Sequence, residues 1–312
     1  MDRGVIWLAA WRMPKTEGLS CHFDEAAQLL NAPDFFGDSV GAPKDFHLKG
    51  NEFQFRSAIT TPWNENNIVH GNFFPCGENW RSQPAVILLH GWNDELNYRI
   101  RFPALAQRFN GMGCNAATIE LPYHFQRRPR AAGAIRNFFS PDMLRTVEAT
   151  RQAVADIRAL RQWLTEQGCP RAGLWGVSMG AWLSGLVLCH DDKIDFAVLI
   201  TPVSRTDRTV RDLAFCKSIR RSLEGKTPDT KKLNLIEHQP RLPRENILLI
   251  EAEHDLFVPK ETVEELWRGW KEPPIWRLPY GHISILTSSR VTERAVEWVA
   301  ANLRKESGKV GK

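Results

Sequence analysis

The pentapeptide Gly176-Val177-Ser178-Met179-Gly180 sets a serine two residues from a glycine on either side. It follows an apolar run ending at Val177 and opens a helix-like stretch, Ala181 to Leu188. A serine on so sharp a strand-to-helix turn exposes its hydroxyl, and side chains in place of the glycines would collide with neighbouring backbone. The helix start offers the N–H of Met179 and a favourable dipole end to a developing oxyanion. The plainer reading is a tight glycine turn with an inert serine. The catalytic reading needs a base, and an acid to orient it, because a serine hydroxyl is a weak nucleophile at its free pKa. Asp255 closes the run from Ile247, 77 residues after the serine, and His282 follows 27 residues later, behind Leu278-Pro279-Tyr280-Gly281. Asp255 could instead cap a helix ahead of Pro259, and His282 could be an ordinary loop histidine. Asp207 is the reserve acid, and His254 is expected to point elsewhere. His90-Gly91-Trp92 follows the run Ala85 to Leu89. The N–H of Trp92 is the candidate second oxyanion donor. His90 is expected to hold its loop rather than to act as base, and Glu120 to hold local backbone.

These groups need a frame. Ala85–Leu89, Ala116–Leu121, Gly173–Val177, Phe196–Ile200 and Ile247–Ile250 are short continuous apolar runs, with Ile275–Leu278 a weaker sixth. Such runs suit strands buried on both faces of a parallel sheet. Helical stretches separate most of them. One opens at Ser140-Pro141-Asp142 and carries Leu144, Val147, Val154, Ile157, Leu160 and Leu164 on one stripe. Others run from Lys260 to Trp270 and from Ser288 to Leu303. The alternation predicts βαβ units, whose ligands lie at the carboxyl ends of the strands. Further upstream, residues 53–59 and 68–74 read as a hairpin across the turn-like 61–67.

With 312 residues, 43% hydrophobic and 25% charged, the chain has a globular composition. No apolar stretch is long enough for a transmembrane helix. Six cysteines without zinc-like spacing read as reduced thiols, and the N-terminus lacks a clear signal peptide, so a cytoplasmic protein is expected. The net charge of +5 is too mild to argue for nucleic acid. Its distribution says more: residues 124–136 hold +4 and residues 205–232 hold +5, leaving −4 for the rest. Both segments lie in connections leaving the carboxyl ends of strands. Solvated faces are the ordinary fate of such runs. The functional alternative is recognition of an anionic substrate group, with Arg127 and Arg128 as contacts. Trp92, Trp182, Tyr123 and Phe125 are candidates for an apolar acyl pocket.

The series Leu-Leu-His90-Gly-Trp92, Gly-Val-Ser178-Met-Gly, Glu-His-Asp255 and Gly-His282 resembles, in order and spacing, the α/β-hydrolase superfamily over residues 50–304. Within it the chain looks most similar to serine esterases of the dienelactone-hydrolase and prolyl-oligopeptidase type. The stretch from Leu121 to Pro129 also resembles the family of abhydrolase domain-containing protein 18. The resemblance implies an α/β fold with a mostly parallel eight-stranded sheet, helices on both faces and a lid inserted after strand six. The expected organisation is an N-terminal extension over 1–50, a hydrolase domain over 51–304 with its lid at 203–244, and a polar tail over 305–312. The implied activity is cleavage of a carboxylic ester or related acyl compound through an acyl-enzyme. Its catalytic residues would be Ser178, Asp255 and His282, its oxyanion donors Met179 and Trp92, and its substrate contacts Arg127, Arg128 and Tyr123. No metal or organic cofactor is implied. The partner is a small-molecule ester, with no nucleic acid and no transmembrane segment, and the sequence does not fix the oligomeric state. The alternatives are an acyltransferase on the same residues and a catalytically retired binding protein.

Overall fold

The computed structural model describes residues 2, 4, 21–37, 40–131 and 137–307. Nine strands form one sheet: β1 His47–Lys49, β2 Glu52–Arg56, β3 Ile68–Phe74, β4 Ala85–Leu89, β5 Asn115–Ile119, β6 Ala172–Val177, β7 Phe196–Ile200, β8 Ile247–Ala252 and β9 Ile275–Leu278. Their order is β1-β2-β3-β5-β4-β6-β7-β8-β9. Strands β4 to β9 run parallel, and β1, β2 and β3 form an antiparallel meander against β5.

Every residue of β4 to β8 is buried, as continuous apolar runs covered on both faces should be. Strands β2 and β3 alternate buried with more exposed positions, the pattern of a sheet edge with one wet face. The ninth strand, β1, was not expected. Its three residues are all exposed and carry no apolar period. It exists because Gly50, at φ 60°, and Asn51 turn the chain back so that Lys49 faces Glu52. The sheet thus begins inside the expected N-terminal extension.

Helices cover both faces. On one side pack α1 Phe23–Asn31, α3 Met143–Glu166, α4 Met179–His190 and α7 Lys260–Gly269; on the other pack α2 Phe102–Asn110 and α9 Ser289–Ser307. Val86 and Leu88 of β4 face the second layer, while Ile87 and Leu89 face the first. Helix α3 begins two residues later than its serine–proline signal predicts. Asp142 at the cap position is paired with His22 at 3.0 Å, and the Ser140 hydroxyl accepts the Asp142 N–H at 3.0 Å. Val147, Val154, Ile157, Leu160 and Leu164 are fully buried on the expected stripe. The opposite face is covered too, with Arg151 and Arg158 donating to the carbonyls of Phe35 and Phe36.

Between β7 and β8 the chain makes a long excursion through α5 Thr206–Asp212 and α6 Lys217–Ser222. Its two stems are tied together. Leu235 N–H donates to the Ser204 carbonyl at 3.0 Å, and the Asn234 side-chain oxygen accepts both the N–H and the hydroxyl of Thr206, at 2.8 and 2.7 Å. The indole of Trp182 on α4 donates to the Leu233 carbonyl at 2.7 Å. Among the described residues no helix is long and apolar enough to cross a membrane. All six cysteines are free thiols.

Candidate active site

Ser178 sits between β6 and α4 with φ 53° and ψ −115°, a conformation an L-residue keeps only when its surroundings enforce it. The glycines explain how. A Cβ on Gly176 would stand 2.5 Å from the Gly180 carbonyl oxygen, and one on Gly180 would stand 2.2 Å from the Leu89 carbonyl oxygen. Without side chains there, β6, α4 and the end of β4 close up around the serine. Gly91 abuts it as well, since a Cβ on Gly91 would lie 3.5 Å from Ser178 Cβ. The His90–Trp92 turn is therefore next to the serine.

His282 begins the short helix α8 His282–Leu286, reached from the end of β9. Its Nε2 lies 2.9 Å from Ser178 Oγ, and its Nδ1 lies 2.6 Å from Asp255 Oδ2. The carboxylate can only accept, so Nδ1 carries the proton and the Nε2 lone pair faces the serine hydroxyl. Asp255 follows β8, and its other oxygen accepts the N–H groups of Phe257 and Val258 at 2.7 and 2.8 Å. That fixes the carboxylate on its loop. The Phe257 ring lies 4.8 Å from the imidazole centroid, tilted by 34°. A residue with no sequence signal completes the support. The Asp2 carboxylate accepts the N–H groups of His282 and Ile283, at 2.8 and 3.1 Å, from 280 residues away in the chain.

No protein-family model matches the chain. An uncharacterized protein of Mycobacterium tuberculosis strain H37Rv is 28% identical over 187 residues, 58% of this chain and 45% of that protein. The chain thus spans about half the length of the curated relatives it matches. Solved structures align more fully. An acetyl xylan esterase from a Paenibacillus species superimposes with a TM-score of 0.57 at 17% identity, over 93% of this chain and 98% of its own. An esterase from Pyrococcus furiosus gives 0.56 at 18% identity, over 86% and 98%. A candidate α/β hydrolase from Agrobacterium tumefaciens gives 0.54 at 15% identity, over 82% and 97%. The chain has the α/β-hydrolase fold. Its sheet carries nine strands where eight were expected, β1 being the addition.

Ser178 opens on a cavity of about 510 Å³ in this α/β-hydrolase fold. Trp92, Trp182, Phe139, Val203, Phe257 and Val258 form its wall near the serine. Leu213, Cys216, Ile219 and Leu223, from the excursion between β7 and β8, also line it. Burial pushes the Cys216 thiol up to about 12, so it lines the cavity as an uncharged group. Among the described residues no group of three or more His, Cys, Asp or Glu side chains could hold a metal ion.

Three sequence expectations about substrate contacts need correction. Arg127 is wholly buried: it pairs with Asp156 at 2.8 Å and donates to the carbonyls of Asn66 and Glu120. Tyr123 is also buried, with the Arg145 guanidinium 4.2 Å over its ring. Arg128 donates to Asn93 Oδ1 at 2.5 Å. None of the three lines the cavity. Arg136 lies outside the described residues. Of the four aromatics named for an acyl pocket, Trp92 and Trp182 line the cavity, while Phe125 stacks on Tyr98 instead.

His90 is fully buried; its Nε2 accepts the Leu121 N–H at 3.1 Å, so Nδ1 donates to the Gly91 carbonyl at 2.7 Å. Burial lowers its pKa to about 4, which keeps it a neutral brace between the ends of β4 and β5. Glu120 accepts the backbone N–H of Gln126 at 3.0 Å. Asp207 is held by Arg205 through two bonds of 3.0 and 2.7 Å rather than by His282. His254 is exposed and lines a separate groove with Glu251 and Glu264. Sequence reasoning missed Phe139, Phe257 and Asp2. The two phenylalanines lacked any motif, and Asp2 is recognisable only once its contact with the start of α8 is seen.

Proposed function

We propose that this protein is a serine hydrolase that cleaves a carboxylic ester or a related acyl compound. The unbroken hydrogen-bond chain Asp255–His282–Ser178, opening on an apolar cavity, carries the reading. In this mechanism His282 Nε2 takes the Ser178 proton as Oγ bonds to the substrate carbonyl carbon. The negative charge moves to the carbonyl oxygen, where the N–H groups of Met179 and Trp92 receive it. Collapse breaks the bond to the leaving alcohol, which departs with the proton from His282. Water then attacks the acyl-enzyme with the same histidine as base, releasing acid and free serine. Asp255 keeps the imidazole in the required tautomer and stabilises the imidazolium. The esterase function of the Pyrococcus furiosus and Paenibacillus neighbours agrees with this reading. We read residues 203–244 as the lid, a reading supported by Val203, Leu213, Cys216, Ile219 and Leu223 lining the cavity.

A fluorophosphonate probe tests the assignment. It should label the wild-type protein at Ser178, and Ser178→Ala should lose both labelling and ester hydrolysis with its thermal midpoint unchanged. A folded Ala variant that keeps wild-type turnover would remove Ser178 from the mechanism. Acyl transfer to an alcohol or thiol is the second reading, favoured by a mostly apolar cavity that disfavours water. Added alcohol that diverts most of the acyl group from acid to new ester would select it.

A further inference from the structure

The cavity has a second character that the triad does not use. Its walls are apolar, yet four charged side chains line it: Asp207, Arg211, Arg220 and Lys226. Two of them are neutralised locally. Asp207 is bound by Arg205, and Arg211 by Asp212 at 2.7 Å. The other two have no carboxylate within ion-pair distance among the described residues. Arg220 uses Nη1 to donate to the carbonyls of Val210 and Leu213, at 2.8 and 2.6 Å, which leaves it without a direct ion pair and its other N–H groups unassigned, although it acts on Asp212 from beyond contact distance. The exposed Lys226 stands 4.9 Å over the Phe23 ring. An apolar cavity of about 510 Å³ with two cations on its lining that have no direct ion pair suits a ligand with two unlike ends.

We infer that the substrate is an anionic amphiphile, its aliphatic acyl body seated among Trp182, Phe139 and Leu213 and its phosphate or carboxylate held by Arg220 and Lys226. The inference builds on the hydrolase reading and moves the anion contact away from Arg127 and Arg128. The apolar wall favours an acyl chain by roughly fourfold per buried methylene, until the cavity is full. It gives no foothold to a small hydrated anion. A guanidinium beside a low-dielectric wall attracts an anion more strongly than the same group in open water. Substrate head and tail are therefore read by different residues.

Binding to the full-length Ser178→Ala protein separates this inference from the hydrolase reading, because it needs no turnover. The probes are octyl phosphate, octanol and inorganic phosphate, followed by calorimetry. Octyl phosphate should bind about tenfold more tightly than either of the others in low salt, and about 0.5 M salt should shrink its advantage over octanol several-fold. Lys226→Gln, which removes a charge but no structural hydrogen bond, should lower that advantage by roughly two- to fivefold. Arg220→Gln should do the same. Equal binding of octyl phosphate and octanol, insensitive to salt, would overturn the anion contact. Equal binding of octyl phosphate and inorganic phosphate would overturn the acyl contact. If octyl phosphate is preferred but no ester is turned over by the wild type, the hydrolase reading fails while the ligand class stands.

Discussion

At the scale of single residues, Asp255 accepts from three sides at once: His282 on one oxygen, and the N–H groups of Phe257 and Val258 on the other. Replacing it by Asn keeps an acceptor for the two backbone groups but can turn an NH₂ toward His282, which forces the wrong tautomer. We expect Asp255→Asn to lower kcat on the order of a thousandfold or more with little change in KM. Asp207→Asn, whose carboxylate is engaged by Arg205, should leave kcat within a few-fold. Steady-state kinetics on one neutral ester decides, and a larger loss for the Asp207 variant would reassign the acid. Ser178→Ala combined with His282→Ala should be hardly worse than either alone, because the residues act as a unit. The serine, histidine and acid were legible in the sequence because each ends an apolar run, where a parallel sheet puts its ligands. Arg127 was misread for a converse reason. A cluster of arginines reads as solvated or ligand-facing, and its buried partner Asp156 lies 29 residues away on α3, a pairing that no local pattern encodes.

At the scale of elements, the elbow depends on two backbones meeting without a side chain between them. Gly180 is the pivot, its missing Cβ lying against the Leu89 carbonyl. Gly180→Ala must push α4 away from β4, and rigid backbone on both sides leaves no cheap relaxation. We expect at least ~2 kcal/mol of lost stability together with a large loss of activity, read by denaturant unfolding and turnover. A variant as stable and active as wild type would mean that the close approach has slack. The parallel strands were readable because burial on both faces writes itself as an unbroken apolar run. The exposed hairpin strand β1 leaves no such record. The start of α3 is displaced to Met143, and the side chain of its cap residue Asp142 is bonded to His22, 120 residues upstream, a partner that no local signal encodes. Local signals place elements well where burial alone determines them, and poorly where a distant partner intervenes.

At the scale of the molecule, buried neutral imidazoles couple folding to acidity. His90 titrates at about 4 in the fold against an ordinary 6.5, its main cause being burial. The unfolded chain therefore binds a proton between those values that the folded chain refuses. Stability is full above pH 6.5 and is lost as pH falls toward 4, on the order of 3 kcal/mol for this residue. His124 and His190 are lowered in the same direction by burial. Glu120 and Asp156, raised by burial, act in the opposite sense. The comparison that isolates His90 is the slope of unfolding free energy against pH. Wild type should lose stability more steeply than His90→Asn across that window, even though the variant starts less stable at neutral pH. Parallel slopes would mean that His90 is not held neutral.

The ties between the stems of the excursion after β7 have a consequence for how such a protein can change over generations. Leu235 is bound to Ser204 and Asn234 to Thr206, so the stretch between them begins and ends at nearly one point, a few residues past the end of β7. A loop with adjoining ends can grow, shrink or be exchanged at a cost that rises only with the logarithm of its length. The strand pairing beneath does not register the exchange. The lining that this stretch gives the cavity is therefore open to mutation one cassette at a time, while Ser178, His282 and Asp255 keep their places at the strand ends.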